Sequence, residues 1–270
     1  MKTLNAEFFG ESKKQFNING LTIVDSVFKN YEACPWHYHQ NAHFAFTTKG
    51  HLTEKHRTKK IQLEAGCLLY NHSQEPHYNS NYDPVVSALH IDINKYWFQQ
   101  YDFNFLKIEG VHQIQNPVLK NIFFNILKEI RLQDKDFFLS IESLVLLALN
   151  EMTNDVNYKF HSKPSWIFKL RNLLYDKFSE QVSLKEIAAE LNLHPVYLCQ
   201  QFPFYFGCSF GDYTRKIRIE KSVTAMLKKN YHSLTQLAYN CGFADQSHFI
   251  RIFKQHTGIT PLAFQKLIAE

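Results

Sequence analysis

The chain of 270 residues lacks most of the short signatures that announce a chemistry. Its five cysteines, Cys34, Cys67, Cys199, Cys208 and Cys241, form no CxxC pair, which excludes a cysteine zinc finger and a dithiol redox centre. They read as reduced thiols, so a cytoplasmic location is expected. The longest apolar run, residues 144–149, is far short of the ~20 residues that a membrane helix needs. Residues 1–16 have lysines but no apolar core or small-residue cleavage site, so secretion is not expected. No Walker loop, GxGxxG or Ser/His/Asp arrangement is present, and the chain is not expected to be an enzyme. Charge is also sparse. Charged residues make up 20% against 45% hydrophobic, with 24 Phe and 14 Tyr, which supplies enough apolar surface to exclude disorder. The length points to two domains.

The charge that is present is unevenly placed. Residues 1–164 balance 17 Lys and Arg against 17 Asp and Glu, whereas 165–270 hold 13 against 8, so the whole excess of +5 lies in the last part. A basic module beside a neutral one suits a polyanion-binding domain joined to a domain with another task. Hydrophobic periodicity divides the chain in the same way. Up to residue 94, the runs 21–27, 43–47, 60–63, 67–70 and 85–93 are short, β-branched or aromatic, and separated by turn residues, as in a small barrel or sandwich. From Pro117, Val118, Ile122, Phe123, Ile126, Leu127 and Ile130 recur at three and four, as do Phe138, Ile141, Leu144, Val145 and Ala148. Two amphipathic helices are therefore predicted. The reading gives a barrel over 1–94, a helical dimerisation segment over 95–153, a linker over 154–164 and an all-helical domain over 165–270.

The most specific feature is an internal repeat. Ser183-Leu184-Lys185-Glu186-Ile187-Ala188 recurs as Ser233-Leu234-Thr235-Gln236-Leu237-Ala238. Ser183 with Glu186, and Ser233 with Gln236, are capping boxes. Asn192 and Gly242 follow at equivalent positions, and these residue types best tolerate the positive φ of a sharp turn. A second helix then carries Leu198 and Phe202 in one copy and Phe249 and Phe253 in the other. Gly207-Cys208-Ser209 and Gly258-Ile259-Thr260 close both copies alike. Helix, tight turn, helix is the unit whose second helix enters the DNA major groove. A connecting helix predicted over 210–230 carries Arg215, Lys216, Arg218, Lys221, Lys228 and Lys229. At 1.5 Å per residue it spans about 30 Å, near the ~34 Å between successive major grooves on one DNA face.

The run from Ala238 to Lys254, with Thr257-Gly258-Ile259-Thr260-Pro261, resembles the signature of the AraC/XylS transcriptional regulators. That resemblance implies an α+β multidomain protein: an N-terminal cupin-like β-barrel with flanking helices, then a tandem helix-turn-helix domain. Carried over by position, Gln246, Ser247, Ile250 and Arg251 would face base edges and Lys254 a phosphate. Arg can hold guanine O6 and N7, and Gln the equivalent edge of adenine. In the first motif Val196, Cys199 and Gln200 take the base-facing positions, a departure from the small polar residues and Arg usual there. Pro203 stands where Lys or Arg is common, and it removes a helical N–H.

In the neutral half, His37, His39 and His43 precede Gly50, and Gly66 precedes Pro76-His77. This resembles the paired cupin motifs, with His43 where metal-binding cupins usually have Glu. The three share parity, so one unbulged strand would aim them at one face. With His77 they could form a four-imidazole site for Zn, Ni, Cu or Fe. The preferred reading is an effector pocket without metal, lined by His37, His39, His43, His77, Tyr38 and Phe44 and taking a ligand such as a sugar; no cofactor is expected. The resemblance implies an activator that partners double-stranded DNA, a small-molecule effector and RNA polymerase, and acts as a homodimer. The alternative is a metal-dependent cupin enzyme with a helical interaction module.

Overall fold

A computed structural model describes residues 2–4, 8–101, 108–160 and 164–269, with the backbone alone for 2–4 and 154–160. The chain divides into two compact units, Met1–Val156 and Asn157–Glu270.

The first unit is built on two sheets. Strands β1 (Lys2–Leu4), β2 (Glu11–Ile18), β3 (Leu21–Lys29), β4 (Ala33–His39), β5 (Ala42–Lys49), β6 (His51–Lys55), β7 (Lys60–Glu64), β8 (Leu68–Asn71), β9 (His77–Ser80) and β10 (Val85–Ile93) lead to helix α1 (Lys95–Gln100) and strand β11 (Val111–Ile114). Helices α2 (Pro117–Leu132) and α3 (Phe137–Phe160) follow. One sheet runs β1-β4-β9-β6-β7, the other β11-β8-β5-β10-β3-β2.

Strand β5 shows how sequence fixes the layers. Its residues 42–48 are all buried, because both faces of the strand are covered. Ala45 packs with Phe28, Leu52, Leu63, Leu69 and Ala88 between the sheets. Phe44 and Phe46 point the other way, onto α2, with ring centroids 4.9 Å from Phe123 and 5.7 Å from Phe124 respectively. Helix α2 is set by Asn116, whose side chain accepts from Val118 N, and by Pro117 at its first turn. A buried Asp25–Arg131 pair at 2.9 Å ties its far end to β3.

Several predicted boundaries move. The sheet region extends past residue 94, because β11 pairs with β8 from Val111↔Asn71 to Ile114↔Leu68. Strands β2, β4, β6 and β9 lack apolar runs and are formed by their pairing partners. Helix α3 continues to Phe160, through much of the predicted linker 154–164; residues 161–163 lie outside the described residues. Polar residues alone do not stop it, whereas Pro164 precedes a fresh helix. Phe138, expected on the buried stripe of α3, is 56% exposed, while Ile141, Val145, Ala148 and Leu149 are buried.

The second unit holds α4 (Ser165–Asp176), α5 (Leu184–Glu190), α6 (Pro195–Phe206), α7 (Phe210–Leu227), α8 (Leu234–Asn240), α9 (Gln246–Thr257) and α10 (Pro261–Ala269). Trp166, Leu170, Leu174, Ile187, Leu198, Phe202 and Ile217 form the core of its first half. Phe243, Phe249, Phe253 and Phe264 are buried in the second.

Candidate DNA-reading helices and a buried histidine cluster

Both repeats fold as helix, turn, helix, and the local chemistry of each turn is visible. Ser183 Oγ accepts from Glu186 N at 3.2 Å while Glu186 Oε2 accepts from Ser183 N at 2.7 Å, a complete capping box. In the second copy Ser233 Oγ accepts from Gln236 N at 3.1 Å, but the Gln236 side chain accepts from His232 N instead of Ser233 N. That box is one-sided. Asn192 and Gly242 both take the left-handed conformation, at φ 54° and 78°. Gly242 has a second constraint: a Cβ there would lie 2.8 Å from the carbonyl oxygens of Phe178 and Ser179. Gly207 and Gly258 end α6 and α9 at φ 67° and 79°.

The connecting helix α7 stops at Leu227 rather than at 230, with Lys229 at φ 53°. Eighteen residues span about 27 Å. Arg218, expected among its basic residues, turns inward. It is 9% exposed, and its Nε and Nη2 each donate at 2.8 Å to the carbonyls of Phe178 and Glu180. Lys221 sits over the rings of Tyr175 and Phe178.

On α9, Ser247, Arg251 and Lys254 are exposed, Ile250 is half-buried, and Gln246 accepts from Thr235 Oγ1 at 2.6 Å. Phe249, Ile252 and Phe253 bury the opposite face. On α6, Val196, Cys199 and Gln200 are exposed, together with Tyr197, Pro203 and Phe204. The helix continues through Pro203 to Phe206. The outward face of α9 is thus mainly polar and basic, and that of α6 is apolar apart from Gln200.

In the first unit, His37, His39 and His77 are each 2–3% exposed and present ligand atoms within 4.8 Å of one another. The expected single strand is two: His37 and His39 share one face of β4, His43 is the second residue of β5, and His77 opens β9 opposite His37. Ring centroids lie 4.1 Å apart for His37 and His77, 5.4 Å for His39 and His77, and 4.3 Å for His39 and His43. His43 is oriented differently, since its Nε2 accepts from Asn71 Nδ2 at 3.2 Å.

Burial pushes the His39 and His43 imidazoles well down, and the neighbouring histidines add to it, which disfavours their charged forms. Burial pushes His90 down to about 3. Glu54 shares the cavity. Burial alone would raise its carboxyl, but His77, His56 and Asn79 together hold it well below the usual range. Its Oε1 accepts from His56 Nε2 at 2.9 Å and Asn71 Nδ2 at 3.2 Å, and its Oε2 from Asn79 Nδ2 at 3.0 Å. Phe8 stacks on His39 at 4.6 Å and on His90 at 4.2 Å. Glu54, His56, Asn71, Asn79, His90 and Phe8 were not singled out from the sequence. The one usable signal was Glu54, at the inward parity of Leu52 on a strand.

Tyr38 and Phe44 are not cavity residues. Tyr38 alternates with the inward His37 and His39, and Phe44 packs on α2. The cavity leaves only about 40 Å³ free. A larger cleft of about 510 Å³ is formed by the β4–β5, β8–β9 and β10–α1 connections and includes none of the four histidines.

Residues 187–267 match the helix-turn-helix domain family. The match lies wholly within the C-terminal unit. The chain is 29% identical over 126 residues to the HTH-type transcriptional regulator YpdC of Escherichia coli, covering 45% of this chain and 44% of that one. It is equally similar to the HTH-type transcriptional activator RhaS of Salmonella arizonae, over 46% and 42%. The chain therefore spans less than half the length of the curated relatives it matches. The crystal structure of ToxT from Vibrio cholerae with a bound unsaturated fatty acid aligns over 96% of this chain and 98% of that one, at 16% identity and a TM-score of 0.38. Among the described residues no helix is long and apolar enough to cross a membrane. The match begins within α5 and ends within α10, so it reaches both motifs and covers α7.

Proposed function

We propose that the chain is a sequence-specific DNA-binding transcriptional regulator, an activator as RhaS is named, whose N-terminal barrel binds a small effector that controls the DNA-binding unit. The observation that carries this reading is the tandem of capped helix-turn-helix motifs within the matched helix-turn-helix domain, with Ser247, Arg251 and Lys254 presented on one exposed face of α9. Arg251 reads a guanine edge and Lys254 neutralises a phosphate. Leu132, Leu139 and Leu147 are 51–69% exposed, and they support a symmetric homodimer through α2 and α3. RNA polymerase is the partner that an activator requires.

Selection of bound duplexes from a random pool by the full chain tests the reading. Enrichment of one motif, with affinity that falls steeply with salt, is the expected result. Failure to retain duplex DNA at low salt in a folded protein overturns it. Leu147→Glu is expected to give a folded monomer in sedimentation; an unchanged dimer would place the interface elsewhere.

A further inference from the structure

We propose that the effector is a divalent transition-metal ion, bound by His37, His39 and His77 inside the barrel. The site itself stands on geometry; its effect on DNA binding rests on the regulator reading above.

Three observations converge on an ion. The first is the tautomers. His37 Nδ1 lies 2.7 Å from the Pro35 carbonyl oxygen and His77 Nδ1 lies 3.0 Å from that of Glu75. A carbonyl only accepts, so each Nδ1 carries a proton, which leaves Nε2 as the nitrogen of each ring that a metal would take. This is the outer-shell arrangement that orients ligand histidines in metal proteins. His43 lacks it, because its Nε2 lone pair is used by Asn71. His39 completes the group by position, since its ligand atom lies within 4.8 Å of those of His37 and His77.

The second observation is size. About 40 Å³ of free space is an order of magnitude below the ~300 Å³ at which small-molecule pockets begin, and a sugar does not fit. An ion does. Tetrahedral bonds of about 2.05 Å place donor nitrogens ~3.3 Å apart, so donors now within 4.8 Å must close by ~1.5 Å at most, within reach of side-chain rotation.

The third is charge. Glu54 is 4% exposed on the wall of the same cavity, held by Asn71, Asn79 and His56. Glu54 already pairs with His56, and a second negative-to-positive attraction is open to a dication held on the neighbouring imidazoles. Phe8, stacked on His39, adds an apolar cover. Nitrogen donors without thiolate favour Zn, Ni, Cu or Co over Mg and Ca.

The test uses untagged full-length protein, stripped by chelator and titrated with Zn(II), Ni(II), Cu(II) and Co(II) salts separately. One equivalent per chain bound at micromolar Kd or tighter is expected, with a nitrogen-only protein shell by X-ray absorption on the wild type. His37→Gln and His77→Gln should weaken binding at least tenfold, and His43→Gln far less. The wild-type spectrum decides the site even if a variant fails to fold. Substoichiometric binding, a Kd in the millimolar range, or a sulfur or all-oxygen shell overturns the proposal. The bound ion should also change affinity for the selected duplex about 5- to 150-fold. If the ion binds on imidazoles and DNA affinity does not move, the effector role is wrong. If DNA binds specifically and no metal does, the metal proposal fails while the regulator reading stands.

Discussion

The two helix-turn-helix motifs share an interior and differ at their surfaces. Caps, turns, terminal glycines and buried aromatic positions correspond from α5–α6 to α8–α9. The outward faces do not. Ser247, Arg251 and Lys254 face solvent on α9, whereas Val196, Tyr197, Cys199, Pro203 and Phe204 do so on α6. Folding constraints and DNA-reading constraints therefore act on different residues of the same helix, and duplication preserves the first set while the second diverges. The shared interior is not symmetric in every detail either. The turn of the second motif rests against residues 178 and 179: Arg218 donates to the Phe178 carbonyl and Gln181 Nε2 donates to that of Gly242, whereas Asn192 already carries a Cβ at its turn.

The strongest way to break the correspondence is at those turns. Gly242→Ala combines a positive φ with a Cβ driven against two carbonyls and should destabilise the second unit by about 3 kcal/mol in denaturant unfolding. Asn192→Ala meets only the conformational penalty and should lose about 1 kcal/mol. Equal losses would mean that the 178–179 segment yields freely.

The outward faces are separated by DNA affinity. Arg251→Ala should weaken binding to the selected duplex by about 1 to 3 kcal/mol and relax preference at one base pair, with Gln200→Ala weaker in effect. Equal or reversed losses at one salt concentration would show that α6 reads bases despite its apolar face.

The smallest contrast lies in the caps. Ser183→Ala removes the two bonds of Ser183 Oγ, from Glu186 N and to Glu186 Oε2, and keeps the one from its backbone N–H, whereas Ser233→Ala removes the single bond from Gln236 N; losses of about 1 and about 0.5 kcal/mol are expected from thermal unfolding. The first box also titrates. Hydrogen bonds from Ser183 hold the Glu186 carboxyl below its usual range, so its contribution is present above the unfolded-state value and disappears as the pH falls through the folded one. Gln236 carries no charge, so the stability difference between Gln236→Ala and the parent should not change over the same acid range, whereas that for Glu186→Ala should shrink.

What the sequence made legible follows from how local each signal is. Caps, left-handed turn residues and the i, i+3, i+4 stripe are short-range, and the helical unit was readable from them to within a few residues. The dual role of β5 was not, because burial on both faces erases alternation: Phe44 was assigned inward although α2 covers it. Arg218 looked like one more surface base, since nothing near it in sequence announces the carbonyls of Phe178 and Glu180, 40 and 38 positions away. The histidines were found by spacing, but their partners Glu54, Asn71 and Asn79 come from three separate strands. Only pairing brings those together.

Strand β5 also fixes how the chain tolerates insertions and deletions. His43, Ala45 and Thr47 face the cavity, and Phe44 and Phe46 face α2, with alternate residues serving two compartments of opposite character. Losing one residue from the turn at 40–41 would slide the strand by one place and exchange the two sets. Two phenylalanines would enter a space of about 40 Å³, and an imidazole would be driven into the helix interface. The turn length is thereby locked by both neighbours at once, so in-frame changes of one residue should be excluded there while pairs of residues are better tolerated.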